Sequence, residues 1–200
     1  TIAIDAMGGE NSPKKNIEGL SMFLKKNKSN DFFIHLYGDE ERIKKELSLV
    51  KASTDKIKIV HSEGVVSDEE SPMKAVKSSK NTSMWNSVSS QVNGDADITL
   101  SAGNTGVLLV ISRMILKMMN EVSKPALAGL WPSKKGMTVV LDLGANIECD
   151  EKNLVDFSEM GSALFKSIFP DQTPKVSLLN IGSEEIKGTE MLKKAFIKLK

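Results

Sequence analysis

Short apolar runs alternate with longer amphipathic stretches along the whole chain. Runs of this kind are typical of strands buried on both faces of a parallel sheet. The predicted strands cover residues 2–4, 32–37, 57–60, 98–100, 126–130, 137–141 and 176–179. Between them, apolar residues recur every three or four positions, which predicts helices. These helices begin after residues 12–13, 39 and 71–72, and continue with 84–92, 107–119, 154–164 and 191–200.

Three of the helices begin at recognisable start signals. Ser12 and Ser71 are each followed by proline, a combination that caps a helix and opens its first turn. Asp39 can cap the helix that carries Ile43 and Leu47, because its carboxylate can accept hydrogen bonds from first-turn N–H groups.

The alternation of strands and helices predicts an α/β protein. A mostly parallel sheet would lie between two helical layers, which is an α/β/α sandwich. No internal repeat or interdomain linker interrupts the pattern, so we expect residues 1–200 to form a single α/β domain. The last predicted helix runs to Lys200, so we expect this domain to be truncated at its C-terminal end.

Composition and charge exclude several classes of protein. The 200 residues are 40% hydrophobic and 26% charged, with a net charge of +1, which favours a globular protein with no nucleic-acid partner. The single cysteine, Cys149, excludes an internal disulfide, and with only His35 and His61 we expect no metal site and no cofactor. The longest aliphatic run, residues 107–111, is too short to span a bilayer, so we expect a cytoplasmic protein.

Four predicted strands lead into loops rich in glycine and asparagine. These loops are residues 5–11, 101–106, 142–146 and 180–188. In a parallel sheet such loops meet at one edge, where open α/β folds bind ligands. Glycine lets backbone N–H groups approach a ligand, the following helix N-termini favour anions, and asparagine adds amide donors. Neither common nucleotide-binding fingerprint, G-x-G-x-x-G or G-x-x-x-x-G-K-[ST], occurs, so the loops predict an anion site of another kind.

Each loop also has a purely structural interpretation. Strand-to-helix turns need glycine and asparagine for their backbone geometry alone. Asp5 and Asp142, each at the end of a predicted strand, could orient a ligand or simply cap the next turn.

Together the loops resemble a known family, the PlsX phosphate acyltransferases of bacterial phospholipid synthesis. The resemblance rests on IAIDAMGG at 2–9, SAGNTG at 101–106, DLGAN at 142–146 and the stretch from NIG to KG at 180–188, in the family's order. Departures are small: Glu10 replaces the usual aspartate, Trp85 follows Ser83-Met84, and Ser183 and Thr189 vary the last motif.

The resemblance implies transfer of a fatty acyl group from acyl-(acyl carrier protein) to inorganic phosphate, which gives acyl phosphate. It implies a fold similar to phosphate acetyltransferases and the isocitrate and isopropylmalate dehydrogenases. It also implies a homodimer, associated peripherally with the membrane, that supplies a downstream membrane glycerol-3-phosphate acyltransferase.

Direct attack by phosphate needs positioning and oxyanion stabilisation more than a protein nucleophile. We therefore assign Asn104 and Lys187 as catalytic candidates, the first as an amide donor and the second as a cation. The candidate substrate-binding residues lie in the same four loops: Asp5, Gly8, Gly9, Gly103, Thr105, Gly106, Asp142, Gly144, Asn146, Asn180 and Gly182. We expect Gly8, Gly9, Asn104 and Asn146 to surround a common cleft.

Other features have competing interpretations. Lys74, Lys77 and Lys80 recur every third residue, so they could form one helix face that docks an acidic carrier protein, or a solvated face. The methionines of the 107–119 helix could pack a core or dimer interface, or line an acyl groove. We expect Cys149 to be an incidental thiol, and His35 and His61 to be structural.

Two other functions stay open at this stage. One is an anion- or nucleotide-sensing module without turnover. The other is an isopropylmalate-type dehydrogenase, which would need a carboxylate cluster around a divalent metal.

Overall fold

The computed structural model describes residues 1–27, 29, 31–50, 53–67, 72–134, 136–182, 184 and 187–200, with the side chains of 72–74 outside the description. The chain divides into two compact units, Thr1–Lys117 and Met118–Lys200. The expectation of a single domain stays a prediction.

The first unit is a doubly wound parallel sheet. Its strands are β1 (Ile2–Asp5), β2 (Ile34–Gly38), β3 (Ile57–His61) and β4 (Ile98–Ser101), in the order β3-β2-β1-β4. Its helices are α1 (Lys14–Lys26), α2 (Glu40–Val50), α3 (Pro72–Ser78), α4 (Ser83–Val92) and α5 (Thr105–Leu116). The chain first winds outward from β1 to β3 and then returns to the other side of β1. The winding therefore reverses between β1 and β4, the position at which such sheets bind ligands.

Helices cover this sheet on both faces because alternate strand residues point in opposite directions. Ile34 and Leu36 of β2 pack on one face with Ile17 of α1 and Ile43 of α2. On the opposite face α4 packs against β1, β2 and β4, and the Thr99 hydroxyl donates to its backbone. The unit is thus an α/β/α sandwich, as predicted.

Local start and stop signals explain most helix ends. Asp39 caps α2 as predicted, with Oδ1 accepting from the Arg42 N–H at 2.9 Å. The prediction for Ser12 is wrong, because α1 has no side-chain cap and the Ser12 hydroxyl turns back to the preceding loop. Ser71 lies outside the described residues. The helix predicted over 107–119 ends at Leu116, because Lys117 has a φ of 67°.

The second unit contains a hairpin and two helices. Strands β5 (Gly129–Ser133) and β6 (Gly136–Val140) precede α6 (Glu151–Ile168) and α7 (Glu190–Leu199). The expectation that these strands belong to the parallel sheet is wrong, because β5 and β6 pair antiparallel. Their connection of two residues is far shorter than the crossover that parallel pairing needs.

The strand predicted over 176–179 is also absent from the described part of the chain. A strand requires backbone hydrogen bonds to a neighbour, and apolar residues alone do not supply one. Leu179 is 92% exposed. Among the described residues, no helix is long and apolar enough to cross a membrane.

Candidate functional site

Asp5 connects the loops that follow β1 and β4. It is the last residue of β1 and only 1% exposed. Its Oδ2 accepts from the Ser101 hydroxyl at 2.7 Å, and its Oδ1 accepts from the Met7 N–H at 3.3 Å. The Ser101 hydroxyl in turn accepts from the Gly103 N–H at 3.1 Å. Asp5 thus caps its own turn and also orients the β4 loop.

Glycines allow these two loops to touch backbone to backbone. A Cβ on Gly8 would lie 2.5 Å from Asp5 Oδ2 and 2.8 Å from the Gly103 nitrogen. A Cβ on Gly103 would lie 3.4 Å from the Gly8 Cα and 2.8 Å from the Met84 methyl group. Gly9 has a φ of 87°, which favours glycine for a second reason. The structure therefore brings Gly8, Gly9 and Gly103 together.

Polar residues at the start of α1 hold the carbonyl groups of the first loop. The Ser12 hydroxyl donates to the carbonyl oxygens of Gly8 and Gly9 at 2.5 and 2.6 Å. The Asn16 amide donates to the carbonyl oxygens of Ala6 and Gly8, both at 2.9 Å. Because a trans peptide directs its N–H opposite to its C=O, the N–H groups that follow Gly8 and Gly9 point away from Ser12 and Asn16. The two side chains thereby orient a row of backbone donors.

Sequence reasoning missed the roles of Ser12 and Asn16. Ser12 lies two residues before α1 and Asn16 lies in its first turn, so a spacing of four residues places both next to the glycine pair. That spacing is the signal that could have identified them.

The first turn of α5 begins directly after the β4 loop. Asn104 is its cap, with Oδ1 accepting from the Val107 N–H at 3.1 Å. Capping uses the amide oxygen of Asn104 as an acceptor, and the amide nitrogen is the donor atom of this side chain. Thr105 and Gly106 lie in a first turn that carries no acidic residue. This helix N-terminus, at the reversal point of the sheet, favours an anion.

Ser83 belongs to the same edge of the first unit. It is the first residue of α4, which runs antiparallel to β4 and so begins at the carboxyl edge of the sheet. The Ser83 hydroxyl is buried without a hydrogen-bond partner among the described residues. The next residue, Met84, is the one that approaches Gly103. From the sequence alone, Ser83 and Met84 were noted only in the comparison with the family's motifs.

Asp142 organises the loop after β6 in the second unit. Its Oδ1 accepts from the N–H groups of Leu127 and Ala145, and its Oδ2 accepts from both the backbone and the side chain of Asn146. Burial alone would raise the pKa of Asp142, but these hydrogen bonds together lower it below its ordinary value. Gly144, with a φ of 96°, completes the turn. Asp142 therefore caps the turn that follows it, which was one of its two predicted roles.

Asn146 stabilises this loop through both of its amide hydrogens. Its Nδ2 donates to Asp142 Oδ2 and to the Pro125 carbonyl oxygen, each at 2.8 Å. An amide nitrogen has two hydrogens, so neither remains for the phosphate that we expected Asn146 to bind. In this structure the residue is a positioning element of the loop.

The low pKa of Asp142 predicts an acid-dependent loss of stability. Because folding lowers this pKa, the stabilisation is fully present above the unfolded value, 3.8, and is lost as the pH falls through the lower folded value. Asp142→Asn should lower the free energy of unfolding by about 2 kcal/mol at pH 7. That difference should shrink as the pH approaches 3, as measured by urea unfolding at several pH values.

Asp171→Asn is the matched control for this experiment, since Asp171 is an exposed aspartate of the same unit. It should leave the free energy of unfolding close to wild type at pH 7. A difference between wild type and Asp142→Asn that is constant across the pH range would contradict the assigned cause.

Asn180 and Gly188 close the fourth loop. Asn180 Nδ2 donates to the Lys187 carbonyl oxygen at 3.3 Å, and a Cβ on Gly188 would lie 2.7 Å from Asn180 Oδ1. A Cβ on Gly182 would contact the side chains of Glu184 and Lys187. Lys187 itself is exposed. This loop borders a groove of about 1200 Å³ that also involves α6 and α7.

The four loops are therefore only partly arranged as predicted. In the first unit, Asp5, the glycines and the start of α5 lie at one edge of the parallel sheet. The premise that all four loops leave parallel strands is wrong, because β6 pairs antiparallel and no strand among the described residues leads directly into Asn180. A common cleft that includes Asn146 stays a prediction.

Burial and local contacts characterise Cys149 in the second unit and the two histidines in the first. Burial raises the pKa of the Cys149 thiol, which disfavours the thiolate. Burial and then the charge of Lys58 lower the pKa of His35, whose Nδ1 is buried without a partner among the described residues. His61 Nδ1 accepts from the Glu40 N–H at 3.4 Å, at the start of α2.

The three lysines do not share one helix face. Helix α3 ends at Ser78, so Lys80 lies beyond it in a turn, contrary to the prediction. Lys77 and Lys80 are both exposed, and the side chain of Lys74 lies outside the description.

Comparison with other proteins identifies the family. The FA_synthesis family, described as "Fatty acid synthesis protein", matches residues 1–200. A phosphate acyltransferase of Pelagibacter ubique (strain HTCC1062) is 53% identical over 99% of this chain and 58% of its own length. One of Caldanaerobacter subterraneus subsp. tengcongensis is 39% identical over 100% of this chain and 58% of its own length. The chain thus spans little more than half the length of these relatives.

The structural comparison supports the predicted fold. The EutD phosphotransacetylase from Staphylococcus aureus superposes with a TM-score of 0.67 at 16% identity, covering 99% of this chain and 62% of that one. At that identity the likeness concerns the fold alone, and it confirms the predicted likeness to phosphate acetyltransferases. By its sequence, this chain belongs to the FA_synthesis (PlsX) family, as its four loop motifs predicted.

Proposed function

We propose that the protein to which this chain belongs is a phosphate acyltransferase that moves a fatty acyl group from acyl carrier protein to inorganic phosphate. The observation that carries this proposal is the anion-favouring edge of the first unit, where glycine loops meet the N-terminus of α5. The names of the relatives, phosphate acyltransferases, support the reaction class.

The reaction needs no protein nucleophile. A phosphate oxygen attacks the thioester carbonyl carbon and forms a C–O bond. The resulting tetrahedral oxyanion collapses, the C–S bond breaks, and the carrier leaves as a thiolate that takes up a proton. The protein must hold phosphate against the carbonyl and stabilise the oxyanion, which preorganised N–H donors do effectively.

Backbone donors of the β1 loop fit the role of phosphate binding. Ser12 and Asn16 hold the carbonyl groups of Gly8 and Gly9, which turns the following N–H groups the other way. We assign Asn104 to donate from its amide nitrogen to phosphate or to the oxyanion. Thr105, Gly106 and Gly103 contribute the surrounding loop and the helix N-terminus.

Lys187 is our candidate cation at the fourth loop. It lies two residues before Thr189, the N-cap of α7, where the helix dipole disfavours a positive charge. An anionic ligand at the loop formed by Asn180 and Gly182 would compensate for that placement. We therefore retain Lys187 as a group that meets substrate charge.

One experiment separates this function from the two alternatives. The full-length protein is incubated with acyl-carrier thioester and phosphate, and acyl phosphate and free thiol are measured. A sensing module would release no thiol, and a dehydrogenase would instead change the absorbance of a nicotinamide cofactor. We further propose the homodimer, peripheral membrane association and supply of a glycerol-3-phosphate acyltransferase that the family resemblance implies.

Cys149→Ser should leave turnover nearly unchanged, because direct attack needs no thiolate. The raised pKa of Cys149 keeps the thiol protonated near neutral pH. Steady-state turnover and intact-protein mass spectrometry test this expectation. A folded but inactive variant, or an acyl adduct on Cys149 in the wild type, would overturn the direct-attack mechanism.

We propose that Lys74, Lys77 and Lys80 dock the acidic carrier protein, and this proposal predicts a change in KM for the carrier. Changing Lys77 and Lys80 together to glutamate should raise KM for the carrier protein and reduce its salt dependence, since exposed charges mainly steer association. Exchanging Lys25 and Lys26 of α1 for glutamate is the control. If KM for the carrier protein at low salt is unchanged when Lys77 and Lys80 are glutamate, the two lysines belong to a solvated surface and do not dock the carrier.

A further inference from the structure

We propose that the groove between α6 and α7 is an internal docking surface of the full-length protein, covered there by a part of the same chain that lies outside residues 1–200. The groove has a volume of about 1200 Å³ and is lined by both helices and by residues 176–178. The covering segment supplies apolar side chains to the groove and carboxylates to its rim. This inference does not depend on the proposed acyl transfer.

The second unit has very little hydrophobic core of its own. Among the described residues, the three clusters of buried hydrophobic side chains all belong to the first unit, Thr1–Lys117. In the described part of Met118–Lys200, the buried hydrophobic residues are Phe157 and Ala195. A unit of this size needs much more buried apolar surface than two side chains supply to stay folded in water. The second unit therefore needs a partner that completes its core.

The groove presents apolar side chains to water. Val176 is 49% exposed, Phe196 is 54% exposed and Ile197 is 71% exposed, and all three line the groove. Small residues of α6, Ser162 and Ala163, also line it and leave room for side chains of a partner. Neighbouring apolar side chains in contact with water favour burial by an apolar partner. A further structural element packed on α6 and α7 would bury them.

The length of the relatives identifies this partner. The match to the Pelagibacter ubique protein covers 58% of that protein, so about two fifths of its length has no counterpart in residues 1–200. The fold comparison agrees, because the superposed chain of EutD is matched over 62% of its length. A segment of the same chain is always present at a high effective concentration, which favours it over a separate molecule. The chain outside residues 1–200 is therefore the occupant that we assign to the groove.

Charge around the groove indicates the polar chemistry of the covering segment. The described lining residues with charged side chains are four lysines and two glutamates, namely Lys166, Lys187, Lys193, Lys200, Glu159 and Glu184. This excess of positive charge favours carboxylates on the covering segment where it crosses the rim. Exposed ion pairs add little stability, so the apolar contacts hold the segment and the charges select its position along the groove.

Thiol labelling of the full-length protein tests whether the groove is covered. Ile197→Cys is made in a Cys149→Ser background and treated with a maleimide, with Ser48→Cys, at an exposed position of α2, as the control. Ile197→Cys should react at least about 100-fold more slowly than Ser48→Cys, because its thiol reacts only when the covering segment opens. In urea the two variants should react at equal rates. Equal rates in the native protein would overturn the proposal.

Cross-linking of the full-length protein identifies the occupant. Photo-leucine replaces leucine throughout, including Leu178, Leu192 and Leu199 of the groove, and unlabelled and isotope-labelled protein are mixed before illumination. Mass spectrometry should find cross-links from these positions to peptides outside residues 1–200, with both peptides of each pair carrying the same isotope. Pairs of mixed isotope would assign the groove to a second copy, and cross-links only to residues 1–117 would assign it to the first unit. Either result would overturn the proposal.

Discussion

Gly8→Ala is expected to abolish most activity, with turnover reduced on the order of 10²-fold or more. The added methyl group would lie 2.5 Å from the Asp5 carboxylate and 2.8 Å from the Gly103 nitrogen, and both groups are held by the Ser101 hydroxyl. The two loops must therefore separate, and displacement of catalytic groups by about 1 Å can cost that factor. Overpacking should also lower the free energy of unfolding by about 1–3 kcal/mol.

Gly19→Ala is the matched control for this variant. Gly19 lies exposed within α1, and a Cβ there would meet nothing within 4 Å. The change should stabilise the protein by about 0.5–1 kcal/mol and leave turnover unchanged. Turnover and urea unfolding of both variants separate loop geometry from stability. Wild-type turnover in Gly8→Ala would contradict this prediction, because it would show that the β1 and β4 loops can separate without loss of activity.

Asn104→Ala should reduce turnover by about 10²–10³-fold, the range associated with loss of one oxyanion donor. Loss of the α5 cap should also lower the free energy of unfolding by about 1 kcal/mol. Since the cap and the donor are different atoms of one amide, a second variant can separate them.

Asn104→Asp is that second variant. An aspartate oxygen can still accept from the Val107 N–H and cap α5, so the melting temperature should stay close to wild type. The carboxylate cannot donate, and it repels a phosphate at the same helix N-terminus. Turnover should therefore fall at least as far as in Asn104→Ala. Normal turnover in Asn104→Asp would show that Asn104 serves only as a cap.

The sequence could predict the local order of the first unit. Apolar periodicity is a property of neighbouring residues, and it located β1 to β4 and the helices between them. The Asp39 cap was predictable for the same reason, since its partner is the N–H of Arg42, three residues away. The glycine and asparagine loops, with the family they indicate, could likewise be identified by inspection.

Partners that are distant in the chain could not be predicted. Asp5 and Ser101 are 96 positions apart, and no local pattern indicates that their side chains form the bond between two loops. Ser12 has a strong helix-start signal, yet its hydroxyl bonds the glycine loop instead. Asn146 was assigned to a ligand, whereas Asp142 and Pro125 take both of its amide hydrogens.

The sequence by itself thus determined the element pattern of the first unit, the family and the loops that carry polar donors. Tertiary structure alone decided which of these donors protein acceptors take, as they do for both amide hydrogens of Asn146, because each hydrogen can be given only once. It also decided how apolar segments pair: β5 and β6 were expected in the parallel sheet, yet they pair antiparallel across a connection of two residues.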